Sequence, residues 1–82
     1  MSKRRTTKSI QTTKELGKLL RDLRKRQMIT QAQLAEFSNL SVTSIGEIER
    51  GEVEVRFGHL VKLLKLAGGK LTIEYLEEEE NE

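Results

Sequence analysis

Positions 41–50 read SVTSIGEIER. Ser41, Thr43 and Ser44 bring hydroxyls that donate and accept, Glu47 a carboxylate that only accepts, and Arg50 a guanidinium that only donates. Such a set recognises a partner through hydrogen bonds. Nothing around it equips the chain to break bonds. His59 is the only histidine, set in an apolar run with no cysteine or carboxylate cluster beside it, so it reads as a surface or core side chain. "GGK" at 68–70 lacks the preceding Gly and the following Ser or Thr of a phosphate-binding loop. The run of glutamates at 77–80 lacks the spacing of a calcium loop and reads as a solvated tail. No enzymatic activity, metal or cofactor is expected.

A chain of 82 residues supports one domain. A domain this small buries a modest share of its surface and often gains from oligomerising. The absence of cysteine excludes disulfides and thiolate metal sites and suits an intracellular setting. No apolar run approaches the ~20 residues of a membrane span. The basic N-terminus lacks the apolar stretch of a secretory signal, so a cytoplasmic location is expected. The net charge of +2 hides a strong asymmetry. Residues 1–30 hold ten Lys/Arg against Glu15 and Asp22, which gives +8; residues 31–82 hold five against eleven acids, which gives −6. Either a polyanion meets the basic end, or the two ends are a disordered leader and a soluble tail.

The elements that must position residues 41–50 follow from periodicity and caps. Residues 1–11 are poor in apolar side chains and read as a flexible basic arm. Thr12 and Glu15 have capping-box spacing, and behind them Leu16, Leu19, Leu20 and Leu23 make one apolar stripe, which predicts a first helix over 13–27. Thr30 and Gln33 form a second capping box before a helix over 31–37 that buries Leu34 and Ala35. A corner follows at Ser38, Asn39 and Leu40, where Asn39 tolerates positive φ. Ser41 is placed to cap a third helix, with Ile45 and Ile48 inward and Gly51 at its end. Gly46, in mid-helix, reads either as a point of close packing or as a tolerated residue.

Phe57, Leu60, Val61 and Leu64 define a fourth helix over 57–67, stopped by Gly68 and Gly69. "KLTIEYL" then alternates with period two, Leu71, Ile73 and Tyr75 on one side. A strand needs a ladder partner, and this chain offers no second strand. The economical partner is the same strand of a second subunit; the alternative is irregular chain lying over the core. The expected organisation is an arm at 1–11, a helical domain at 12–69, a dimerisation strand at 70–76 and an acidic tail at 77–82.

Two short helices joined by a tight corner have the spacing of a helix-turn-helix, which lays its first helix across the DNA backbone and its second in the major groove. The segment "TQAQLAEFSNLSVTSIGEIERG" resembles the Cro/phage-repressor (XRE) helix-turn-helix family, whose pattern runs T-Q-x-x-L-A-x-x-x-G-[VI]-[ST]-x-x-x-I-S-x-[IL]-E-x-G. Thr30, Gln31, Leu34, Ala35, Leu40, Ser41, Ile45, Ile48, Glu49 and Gly51 match it, and the resemblance covers about residues 13–76. It implies a mostly α, four-helix domain of lambda-repressor type. With the C-terminal strand pairing across a dimer, it implies a repressor that binds a palindromic operator in double-stranded DNA as a homodimer. The chain departs from the pattern at Asn39, in place of the corner Gly, and at Gly46, in place of a Ser whose hydroxyl would contact phosphate. "ERGEVEVRFGHLVKLL" and "GGKLTIEYL" are similar to one branch, the HipB-type antitoxins, which implies repression of its own operon and a HipA-like kinase toxin as partner.

The resemblance assigns roles. Gln31 is expected to hold a phosphate at the start of the second helix. Ser41, Val42, Thr43 and Ser44 would face base edges or the adjacent phosphate, the methyls of Val42 and Thr43 suiting a thymine methyl. Glu47 would accept from a cytosine amine, or else face solvent or Arg50. Arg50 is expected at a phosphate. Lys3, Arg4 and Arg5 would follow the neighbouring minor groove unless they belong to a disordered leader. Arg24 and Glu49 match an internal salt bridge of the family, or else are two surface charges. Phe37, apolar where the family is usually polar, is a partner anchor or an ordinary exposed residue.

Overall fold

The computed structural model describes residues 3–79. Four helices follow in order: α1 (Thr13–Arg26), α2 (Gln31–Ser38), α3 (Val42–Glu49) and α4 (Phe57–Leu66). Each begins or ends as its local chemistry dictates. Thr30 Oγ1 accepts from the Gln33 N–H while Gln33 Oε1 accepts from the Thr30 N–H, a reciprocal cap for α2. The start of α1 differs from the expected box. Thr12 Oγ1 accepts from the Glu15 N–H at 3.0 Å. The Glu15 carboxylate, however, takes the Thr12 hydroxyl at 3.1 Å rather than its backbone N–H. A hydroxyl has a proton to offer as well as lone pairs, and here it meets the carboxylate first.

All four helix ends share one device, that of α2 through Asn39 and the Leu40 N–H, which reaches the Ala35 carbonyl. After α1, α3 and α4 a residue with positive φ turns the chain: Met28 (58°), Gly51 (72°) and Gly68 (82°). The next residue's N–H then reaches back: Ile29 to the Arg24 carbonyl, Glu52 to that of Glu47, and Gly69 to that of Leu64. Asn39, at φ 62°, makes the corner between α2 and α3 as its residue type predicts.

The core gathers Leu20, Leu34, Ala35, Ile45, Ile48, Leu63 and Leu64, with Leu16, Leu23, Ile29, Leu40, Val55, Leu60 and Leu66 packed around it. On α4 the buried stripe follows the one the sequence singled out only in part. Leu63 and Leu64 are buried and Leu60 half-buried, whereas Phe57 is 68% exposed and Val61 39% exposed. The helix is apolar on more than one side, so spacing alone does not choose the inner face; packing against α2 chooses it.

The closest approach lies between α1 and α3. Gly17 is buried, and a Cβ built there would fall into the Ile48 carbonyl oxygen and lie 2.8 Å from that of Glu49. Gly51 meets α1 as closely: a Cβ there would sit 2.5 Å from the Lys14 Cα. Both positions admit only glycine because backbone, not a yielding side chain, occupies the space. Residues 70–79 carry no ladder hydrogen bonds among the described residues and run as irregular chain outside the core. No helix among the described residues is long and apolar enough to cross a membrane.

Met28 holds the left-handed conformation and is 89% exposed, so it contributes strain and little packing. Met28→Gly is expected to stabilise the domain by about 0.5–1 kcal/mol, read as a rise in the thermal midpoint. An unchanged or lower midpoint would show that the turn carries no strain.

Candidate nucleic-acid interface

The third helix is presented by three interactions. Its N-cap, Ser41, accepts the Ser44 N–H at 3.0 Å and sits beside the Ser44 hydroxyl at 3.0 Å. Its inner face, Ile45 and Ile48, is buried in the core. Its C-terminal turn is anchored by Glu49, whose side chain is 3% exposed.

Glu49 is the junction of the domain. Arg24 Nε donates to its Oε2 at 2.6 Å and Arg24 Nη2 to its Oε1 at 3.0 Å, a two-pronged ion pair between α1 and α3. Gln31 Nε2, from the first residue of α2, donates to the same Oε1 at 2.9 Å. Arg24 Nη1 donates in turn to the Ile29 carbonyl at 2.8 Å, before α2 begins. One carboxylate therefore joins three helices. No buried side-chain polar atom lacks a partner among the described residues. A buried pair so completely satisfied fixes geometry more than it adds stability, because removing both charges from water costs several kcal/mol.

The outer face carries the candidate contacts. Val42 is 47% exposed, Thr43 and Arg50 are exposed, and Ser44 and Glu47 are half-buried. The structure thus brings the candidates from Ser41 to Arg50 onto one short helix, but they are not equally free. The Ser41 hydroxyl is committed to the cap, while no hydrogen bond engages that of Thr43 among the described residues. The Gln31 side chain is turned inward to Glu49. What α2 offers outward at its start is the backbone: the N–H groups of its first residues have no intrahelical acceptor.

Arg50 pairs with Glu52, not Glu47. Its Nε donates to Glu52 Oε2 at 2.7 Å and its Nη2 to Oε1 at 3.3 Å, both side chains half open to solvent. The hydrogen bond from Arg50, assisted by its charge, holds the Glu52 carboxyl below the usual carboxylate range against the opposing effect of desolvation. Arg50 is raised from its ordinary value by the same hydrogen bond and charge, with Glu47 adding a smaller attraction.

Between the start of α2 and the outer side of α3 lies an open cleft of about 710 Å³, lined by Arg21, Gln31, Val42, Gly46 and Arg50 among others. Arg21 is a cleft residue that periodicity did not single out, although its charge on the polar side of α1 was legible. Lys3, Arg4 and Arg5 are exposed in the irregular chain before α1. Leu71, Ile73 and Tyr75 are 44%, 76% and 73% exposed, far from α3 in sequence and joined to a different surface. There Phe57, Val61, Leu71 and Ile73 line an apolar groove of about 550 Å³. Phe57 and Val61 were missed as surface residues because their spacing also suits a core stripe. Phe37 is 59% exposed.

Glu49→Ala is expected to destabilise the domain by about 3–5 kcal/mol in urea denaturation, since Arg24 is left buried and unpaired. Arg24→Met with Glu49→Leu should recover most of that loss. Equal losses in the single and double variants would show that packing, not the unpaired charge, sets the cost.

A helix-turn-helix family model matches residues 20–77. Among curated proteins no relative matches the chain. Solved structures do. The clp gene regulator ClgR of Corynebacterium glutamicum is 33% identical with a TM-score of 0.69, over 71% of this chain and 62% of that one. A second ClgR structure from C. glutamicum is 29% identical with a TM-score of 0.70, over 80% and 85% of the two chains. The restriction-modification controller protein C.AhdI of Aeromonas hydrophila is 29% identical with a TM-score of 0.67, over 71% and 88%. With a matched segment that takes in α2, the Asn39 corner and α3, the chain belongs to the XRE-type helix-turn-helix family of DNA-binding transcriptional regulators.

Proposed function

We propose that the protein is a sequence-specific repressor that binds a palindromic operator as a homodimer. The observation that carries this reading is the outer face of α3, short-chained and solvent-facing at Val42 and Thr43, on a helix held from behind by the Glu49 junction. In this reading α3 enters the major groove by its first turn and α2 crosses the backbone. Val42 and Thr43 meet base edges, with Ser44 and Glu47 beside them. Ser41 shapes the turn, and its backbone lies at the phosphates. The open N–H groups around Gln31 and the guanidinium of Arg50 take phosphates on either side. Lys3, Arg4 and Arg5 follow the adjacent minor groove.

The homodimer places a second copy on the apolar groove. Leu71, Ile73 and Tyr75 supply a strand over 70–76 that pairs with its twin, and Phe57 and Val61 supply the surface beneath it. Exposed apolar side chains gathered on one face support an interface. Two subunits would then set half-sites about 34 Å apart. The acidic tail expected at 77–82 lies partly outside the described residues.

A second reading, an antitoxin whose main partner is a HipA-like kinase, draws on the outward Phe37 and on the pattern of residues 49–76. The two roles are compatible in one protein. Co-purification with the product of an adjacent kinase-like gene supports the antitoxin role, and the lack of such a gene removes it.

Titration against duplex DNA from upstream of its own gene is expected to give nanomolar, salt-sensitive binding with about 10³-fold or greater preference over random DNA. Binding without sequence preference overturns the repressor reading. Thr43→Ala should cost about 1–3 kcal/mol at the operator and little on random DNA. Ile73→Asp should give monomers in analytical ultracentrifugation; a dimeric variant would overturn the strand pairing.

A further inference from the structure

Gly46 lies in α3 one turn before Arg50 and is buried, and the three nearest heavy atoms over its open side all belong to the Arg50 side chain. A Cβ built there would be 2.9 Å from Arg50 Nη1, 3.6 Å from Cζ and 3.7 Å from Nη2. The guanidinium therefore folds back along the helix and rests in the space that a side chain would fill. Its orientation is set from the other edge. Nε and Nη2 face the Glu52 carboxylate. Glu52 is brought there by the turn at Gly51, where its N–H reaches the Glu47 carbonyl at 2.9 Å. This arrangement leaves the Nη1 edge, with two N–H donors, over Gly46 at the cleft it shares with Val42, Gln31 and Arg21.

We propose that Gly46 is a positioning residue: the absence of a Cβ creates the notch through which Arg50 presents its Nη1 edge to a DNA phosphate at this cleft. The proposal rests on the DNA-binding reading above. It accounts for a residue that weakens the helix it occupies, because glycine is among the poorest helix formers. It also replaces a hydroxyl contact with a charged one. Where the family pattern has a serine, this chain has an opening, and the donor arrives from the next turn.

The test is a double-mutant cycle, with Gly46→Ala and Arg50→Ala alone and together. Binding to a fluorescent random-sequence duplex is followed over a range of salt concentrations, because phosphate contacts do not depend on sequence. The nearest atoms to the new methyl are the far end of a flexible side chain, so Gly46→Ala should fold, with an equal or higher thermal midpoint. Its expected effect on DNA is about tenfold weaker binding and a salt slope shallower by about 1. In the Arg50→Ala background, adding Gly46→Ala should change neither. Unaltered binding by Gly46→Ala overturns the proposal, and so does an equal loss in both backgrounds, which would mean that the methyl itself obstructs DNA. Wild-type protein that binds no duplex at any salt overturns the DNA-binding reading, and this inference with it.

Discussion

The carboxylate of Glu49 is the constraint on which the rest of this structure depends. It sits where α1, α2 and α3 meet, and it accepts from Arg24 on the first and Gln31 on the second. A buried charge without partners would cost a large part of what a domain of this size has in reserve. The three helices must therefore meet at one relative placement for the charge to be tolerated. Apolar packing alone would hold them together while allowing them to slide. The carboxylate removes that freedom, and it does so at the helix whose outer face must be presented at a fixed angle.

Backbone contact does the same at the C-terminal end of α3. With glycine at 17 and 51, α1 lies against the last turn of α3 at main-chain distance. The two devices work together: Gly17 and Gly51 set how near the helices come, and Arg24–Glu49 sets their register. What remains outside is a short surface with the Thr43 hydroxyl, unengaged among the described residues, the methyls of Val42 and Thr43, and a guanidinium held by Glu52. Such a surface has few strong directional contacts of its own. The proposed homodimer and basic arm are the sources from which further affinity would come.

In the proposed reading the molecule divides into a face that meets DNA and a face that associates, the first earlier in the sequence than the second. The polar face belongs to α2 and α3, whose caps are satisfied locally by Thr30, Gln33 and Ser41. The apolar groove belongs to α4 and the residues after it. α4 packs through Leu63 and Leu64 on α2, the helix whose Gln31 holds Glu49. Any partner seated on the groove would therefore press on the same scaffold that orients α3.

Much of this is readable in the order of residues alone. Helix starts at Thr12, Thr30 and Ser41 follow from hydroxyls that cap the nearest N–H groups, and the corner follows from Asn39, because these are interactions between residues only a few positions apart. The core positions Leu20, Leu34, Ala35, Ile45 and Ile48 follow from helical spacing. Folding decided whatever depended on residues distant in sequence. Which stripe of α4 turned inward was set by α2, not by its own pattern. That Gln31 would face Glu49, leaving backbone rather than side chain at the surface, was set by an oxygen eighteen positions away. The meaning of the two mid-helix glycines was hidden for the same reason. One is filled by the backbone of another helix and the other by a guanidinium from the next turn, and a missing side chain does not announce what will occupy its place. Local hydrogen bonding is written in the order of residues, whereas the choice of face and the filling of space exist only once the helices have met.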